Sequence, residues 1–284
     1  MKRKAGILCC SDGEREENRE LHKQLYALLE DGGMDLVVSP YLYRREDPAA
    51  GTAEQRAGVL NALFADPEMT QLFDLSGGDL ANEVLELLDY EVIARSQAEL
   101  WGYSDLTTIL NGIYAKTGKA SVLYQIKNLM GPCGALQQHR FFSPDHRELF
   151  RLPVRFLRGE RMEGVVLGGN IRCLLKLAGT EYFPDMTDKL LLLEANSGGE
   201  TRLRTGLSQL KQLGAFQRVK GILLGTFAQM EREGRGDRIE ALVLSLTEGN
   251  TPVARVNVGH GPDSGTVRIG GYYRCKDYME EVLR

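Results

Sequence analysis

Along the first 116 residues the apolar positions alternate between the two periods that separate strands from helices. Ala5 to Cys10 is a short apolar run of strand length. Leu21, Leu25, Leu28 and Leu29 then mark one face of a helix that Gly32-Gly33 terminates. Asp35 to Tyr43 reads as a second strand. Thr52 and Gln55 stand at capping-box spacing before a helix that turns Val59, Leu60, Leu63 and Phe64 inward. Thr70 to Leu75 and Glu99 to Tyr103 read as strands, and Leu80 to Leu88 and Leu106 to Lys116 as helices. Strand followed by helix, four times over, predicts a parallel sheet covered on both faces.

The pattern breaks between Gly131 and Arg161, where glycine, proline, aromatics, two histidines and several arginines follow no period. This stretch is expected to be the crossover between two domains, with an N-terminal α/β domain over 1–135, a linker over 136–160 and a C-terminal domain over 161–284. Strands are predicted at Arg151 to Leu157, Gly164 to Leu167, Lys189 to Leu193, Val219 to Phe227, Pro252 to Val258 and Thr266 to Ile269. Helices fall between them at Ile171 to Leu177, Arg202 to Leu213 and Arg238 to Thr247. The second domain therefore reads as a smaller mixed α/β unit.

In an open parallel sheet, ligands bind beyond the carboxyl ends of the strands. Three turns of the first half lie there and should converge on one cleft: Ser11-Asp12-Gly13, Ser76-Gly77-Gly78-Asp79 and Gly102-Tyr103-Ser104-Asp105. Ser104, between a strand and a helix, resembles the serine of a nucleophile elbow, although Leu106 replaces the second glycine. From this segment by itself, Ser104 or Asp105 as a simple helix cap is the plainer reading. A serine nucleophile needs a base, and the base an orienting acid. His22 lies in an exposed-looking helix, while His139 and His146 lie in the irregular crossover. His260 alone ends a strand between glycines, and Glu194 ends the buried-looking run Leu190 to Leu193. A turn histidine and a solvent-reaching glutamate are the plain alternatives. Gly77-Gly78 could aim backbone N–H groups into the cleft, or simply form a tight turn.

Composition narrows the classes of ligand. Thirty-five basic against 39 acidic side chains give a net charge of −4, with no basic block to hold nucleic acid or an anionic membrane. No apolar run reaches the ~18 residues of a membrane span. The short apolar stretch after Met-Lys-Arg-Lys is smaller than the core of a signal peptide, so the expected location is the cytoplasm. The five cysteines lack metal-ligand spacing and are expected to be reduced. No metal or cofactor is expected, since Gly168-Gly169-Asn170 lacks a Walker lysine and Gly77-Gly78 lacks the third glycine of a dinucleotide loop.

Taken together, these segments resemble the LD-carboxypeptidase family of serine peptidases, which includes muramoyl-tetrapeptide carboxypeptidases and microcin C self-immunity peptidases. The resemblance spans nearly the whole chain. It rests on Gly77-Gly78 followed by Leu87-Leu88-Asp89-Tyr90, on Gly102 to Thr107, on Gly168-Gly169-Asn170 leading to Gly179-Thr180, on Leu190 to Glu194, on Gly221 to Gly225 before Phe227, and on Gly259-His260. It implies a flavodoxin/Rossmann-like parallel-sheet N-terminal domain joined to a smaller mixed α/β C-terminal domain, and a homodimer. It further implies Ser104 as nucleophile, His260 as general base, Glu194 as its orienting acid, an oxyanion hole from the amides of Gly78 and Asp105, and substrate contacts at Gly77 and Asp79. The expected partner is a small peptide or peptidyl substrate, most simply a murein tetrapeptide. Ser76 and Asn82 stand where murein-recycling members carry arginines, which brings Gly77 to Asn82 nearer the self-immunity branch and its aminoacyl or peptidyl nucleotides. A non-catalytic peptide-binding homologue is the third reading. Arg140, Arg172, Arg202 and Arg204 are the candidates for binding a substrate carboxylate, and Trp101 is expected in the core.

Overall fold

The computed structural model describes residues 3–44, 46–247 and 249–282. In the N-terminal half, β1 (Arg3–Leu8), β2 (Met34–Val38), β3 (Met69–Asp74), β4 (Glu99–Gly102) and β5 (Ser121–Leu123) run parallel in the order β5-β4-β3-β1-β2. The helices α1 (Arg19–Asp31), α2 (Ala53–Ala65), α3 (Tyr90–Arg95) and α4 (Thr107–Thr117) lie between them in the chain. The capping box forms as its spacing requires: Gln55 N–H donates to Thr52 Oγ1 at 3.2 Å and Thr52 N–H to Gln55 Oε1 at 3.0 Å.

Three local expectations change. The second strand stops at Val38, because Ser39-Pro40 turns the chain and proline has no N–H for a ladder. The helix expected over Leu80 to Leu88 is a 3₁₀ turn, Ala81–Leu87, followed by α3. Its entrance is tied elsewhere: Arg56 takes the Leu80 carbonyl, Asp105 takes the Ala81 N–H, and Asp89 opens a new helix by capping Val92. His22 is buried rather than exposed, with Nδ1 2.9 Å from the Tyr43 hydroxyl and Nε2 3.3 Å from Glu14.

The C-terminal sheet has eight strands. Its parallel centre is β8 (Met162–Asn170), β9 (Leu190–Ala195), β10 (Gly221–Phe227) and β11 (Val253–Arg255). Antiparallel edges come from β6 (Leu152–Pro153), β7 (Arg155–Arg158), β13 (Tyr272–Cys275) and β14 (Tyr278–Glu281), in the order β6-β14-β13-β8-β9-β10-β11-β7. The remaining strand, β12 (Val267–Ile269), returns to pair antiparallel with β5 in the first sheet. The helices α5 (Gly134–Phe141), α6 (Arg147–Phe150), α7 (Ile171–Leu175), α8 (Gly199–Gln212), α9 (Ala215–Arg218), α10 (Ala228–Arg232) and α11 (Gly236–Leu246) complete the chain.

Segment 136–160 carries most of α5 with α6, β6 and β7. Its aromatics have no sequence period because each helix offers only one or two anchors. Phe141 and Phe150 pack around Trp101, whose ring is buried with centroids 5.8 and 6.1 Å from theirs. One buried cluster runs through both halves, from Leu8 and Leu100 to Leu190 and Leu224. The fold is thus a flavodoxin/Rossmann-like parallel-sheet domain joined to a mixed α/β domain. Among the described residues no helix is long and apolar enough to cross a membrane.

Candidate active site

The three turns converge at the carboxyl end of the first sheet. Asp12 N–H donates to the Gly77 carbonyl at 3.2 Å, and Asp12 Oδ1 accepts from Asp79 N–H at 2.9 Å. Ser11 Oγ donates to Asp105 Oδ2 at 2.7 Å. Beneath them Asp74, at the end of β3, accepts from the N–H groups of Cys10 and Ser76, both at 2.7 Å, and burial pushes its carboxyl up to about 6. Gly78 has φ +116°, and a Cβ there would lie 2.1 Å from Asp12 Cγ, so this turn accepts only glycine.

Ser104 follows β4 with φ +52°, a conformation that costs a non-glycine residue energy and holds Oγ at the sheet's edge. The turn is fixed by Leu106 N–H donating to the Tyr103 carbonyl at 2.9 Å. Neither Ser104 nor Asp105 caps α4. Asp105 is fully buried and spends its carboxylate on Ser11, Ala81 N–H (2.8 Å) and Lys176.

Glu194 is the fifth residue of β9, a strand buried on both faces between β8 and β10. The carboxylate therefore leaves the sheet in an apolar setting and needs a partner. His260 supplies it: Nδ1 lies 2.6 Å from Glu194 Oε2, while Nε2 lies 3.2 Å from Ser104 Oγ. After β11 the chain continues beside β10 through Val256 N–H to Leu224 O (3.0 Å) and Thr226 N–H to Val258 O (2.8 Å). It then turns at Gly259, φ +137°, where a Cβ would meet Thr226 Oγ1 at 2.3 Å and Glu194 Oε2 at 3.0 Å. The Tyr103 ring packs on the imidazole with centroids 4.4 Å apart. A proton on Nδ1, shared with Glu194, leaves Nε2 free to accept one from Ser104. This geometry suits nucleophilic attack by serine assisted by a general base.

Ser104 and Gly78 open into a cavity of about 890 Å³ whose far wall is α7, the loop after β9 and the start of α8. Asn170, Arg172, Lys176, Asn196 and Arg202 line it. Of the glycine turn, Gly77 faces Ser104, its Cβ direction 4.0 Å from Oγ, whereas the Asp79 carboxylate is ion-paired with Arg172. Of the four arginines named from sequence, Arg172 also donates to the Gly78 carbonyl at 3.0 Å, Arg140 donates to the Asp263 carbonyl at 3.0 Å, and Arg204 lines a neighbouring groove. Arg202 faces the cavity with no ion-pair partner among the described residues. Sequence reading missed Lys176, which bonds the Asp79 carbonyl at 2.6 Å and Asp105 Oδ1 at 2.5 Å. Its only sequence signal is a cation four residues after Arg172. Among the described residues no group of three His, Cys, Asp or Glu side chains is arranged to hold a metal.

The family models of the LD-carboxypeptidase N-terminal domain and the LD-carboxypeptidase C-terminal domain match residues 5–124 and 163–274. YocD of Bacillus subtilis is 29% identical over 91% of this chain and 89% of its own. The murein tetrapeptide carboxypeptidase of Pseudomonas aeruginosa is 29% identical over 75% of this chain and 74% of its own. Among solved structures, the microcin C7 self-immunity protein MccF in complex with aspartyl sulfamoyl adenosine superposes with a TM-score of 0.84 at 20% identity, covering 100% of this chain and 97% of that one.

Proposed function

The chain belongs to the LD-carboxypeptidase family, and from that premise we propose that it is a serine-type L,D-carboxypeptidase, hydrolysing the amide that joins the terminal D-alanine of a murein tetrapeptide to the residue before it. The observation that carries this reading is the relay from Ser104 Oγ through His260 to Glu194, with contacts of 3.2 and 2.6 Å, whose serine lines the cavity. His260 Nε2 takes the hydroxyl proton as Oγ bonds to the amide carbon. The amide N–H groups of Gly78 and Asp105 receive the resulting oxyanion. Collapse breaks the C–N bond as the imidazolium passes its proton to the departing D-alanine nitrogen, and water, deprotonated by the same imidazole, releases the acyl group from Ser104. Glu194 stabilises the imidazolium in both steps.

Arg202 is the proposed receptor for the terminal carboxylate, as the arginine on this cavity wall that is not ion-paired among the described residues. Among the described residues, none of the side chains lining the cavity is aromatic, so this wall offers no stacking surface for a nucleobase, which supports a peptide over an aminoacyl nucleotide. The test is D-alanine release from purified murein tetrapeptide, followed by mass spectrometry. Ser104→Ala should lower kcat by several orders of magnitude at an unchanged thermal midpoint. A Ser104→Ala protein with full activity would remove the nucleophile.

A further inference from the structure

Two cations from the C-terminal domain close over the turn that carries Gly78. Lys176, just after α7, donates to the Asp79 carbonyl at 2.6 Å and to Asp105 Oδ1 at 2.5 Å, and lies 3.6 Å from Asp79 Oδ1. Arg172, one helical turn earlier on the same face, ion-pairs with Asp79 and donates to the Gly78 carbonyl at 3.0 Å. The N-terminal domain holds the same turn, with Asp12 bonded to the Gly77 carbonyl and to the Asp79 N–H, the latter on the peptide whose carbonyl Arg172 takes. Two cations meet two carboxylates, and Lys176 is only 18% exposed in its side chain, with two of its three N–H donors bonded to the Asp79 carbonyl and Asp105 and the Asp79 carboxylate 3.6 Å away. It is therefore a poor receptor for an incoming anion and a good brace.

We propose that Lys176, assisted by Arg172, is a positioning residue for the oxyanion hole. Gly78, with φ +116°, is the most conformationally free link in the turn, and its N–H direction depends on the peptides flanking it. Arg172 pins the peptide after Gly78 through its carbonyl. Lys176 pins the next carbonyl and, through the same ammonium, the side chain of Asp105, whose own N–H is the second donor. The Gly78 N–H shares its peptide with the Gly77 carbonyl that Asp12 holds, and the two cations fix the peptides that follow and the Asp105 side chain, a part of the grip that exists only when the two domains are docked. An undocked chain carries Ser104 but lacks an aligned oxyanion hole. This inference rests on the nucleophilic role of Ser104 proposed above.

The probe is a fluorophosphonate, whose reaction at a serine develops negative charge on its phosphoryl oxygen. The readout is the labelling rate by intact mass, beside the thermal midpoint. Lys176→Met should slow the maximal labelling rate by about 10²-fold with little change in probe affinity, as for removal of one oxyanion donor, and Lys176→Arg should recover part of it. Lys176→Met also strands the buried Asp105 charge, so the double variant Lys176→Met/Asp105→Asn is required. It should regain the thermal midpoint and remain slow. Recovery of the rate together with the midpoint would reduce Lys176 to a charge neutraliser and overturn the inference. Should Lys176→Met fail to fold, Arg172→Met, which removes an exposed pair, should slow labelling several-fold, and a wild-type rate there would overturn it equally. Ser104→Ala separates the two levels: label persisting on that variant overturns both the nucleophile and the brace, whereas label lost there but unchanged on Lys176→Met overturns the brace alone.

Discussion

Replacing Glu194 by glutamine keeps the shape of the side chain and removes one charge from the least accessible point of the site. Glu194 is fully buried, one oxygen lies 2.6 Å from His260 Nδ1, and the other has no hydrogen-bond partner among the described residues. Two costs to catalysis follow. Imidazolium formed during the reaction loses a carboxylate whose charge centre is ~4 Å away, worth about 4 kcal/mol at an effective dielectric of ~20. At about 1.36 kcal/mol per decade that is on the order of 10³ in rate. The amide can also turn its NH₂ toward Nδ1, which moves the imidazole proton to Nε2 and leaves no acceptor for Ser104, for up to roughly another factor of ten. Folding should respond differently, because a half-satisfied buried carboxylate is a burden to the native state. Glu194→Gln should therefore lower kcat for murein tetrapeptide by about 10³ to 10⁴-fold while leaving the thermal midpoint unchanged or slightly higher. D-alanine release and differential scanning calorimetry read the two quantities separately. A kcat within about tenfold of wild type would refute the coupling of Glu194 to the imidazolium, and a collapse of the midpoint would show that the carboxylate holds the fold instead.

Other outcomes are equally specific. Arg202→Met should raise KM for a tetrapeptide with a free terminal carboxylate by about 10 to 100-fold, as expected for a charge-assisted hydrogen bond, and leave a C-terminally amidated analogue unaffected; equal losses on both would show that Arg202 does not read the carboxylate. The acid limb of stability should report Glu14. Burial by itself would raise that carboxyl, but His22 and Lys127 outweigh it and hold it at about 2. A depressed value in the native state contributes stability that is complete above the ordinary carboxylate range and lost as pH falls toward 2. The gap in thermal midpoint between wild type and Lys127→Met should accordingly narrow as pH drops from about 4.5 to about 2; a gap constant over that window would contradict the assignment.

Features with local causes could be read directly from the chain. The Thr52 capping box, the apolar run that leads to Glu194 and the glycines around His260 each announce themselves within a few residues, because cap chemistry, burial on both faces and close backbone approach act over that range. The convergence of Ser11, Gly78 and Ser104 followed from one topological rule about strand ends. Contacts made at a distance left little trace. Lys176 gains its role only when α7 meets the Gly78 turn, and His22 is hidden by two separate loops, which bring Glu14 and Tyr43 to its ring. The hairpin β13-β14 and the three residues of β5 are too short to establish a period, and β12 joins the opposite sheet through pairing that no local pattern specifies.

The assembled relay is open to direct trial without knowledge of the substrate. Wild type and His260→Ala are incubated with a fluorophosphonate, and the adduct is located by peptide mapping. The arrangement of Ser104, His260 and Glu194 requires a single wild-type adduct at Ser104 that is lost, or slowed by at least about 10³-fold, in His260→Ala. An adduct on another residue, or labelling of Ser104 at the wild-type rate without the imidazole, would contradict it.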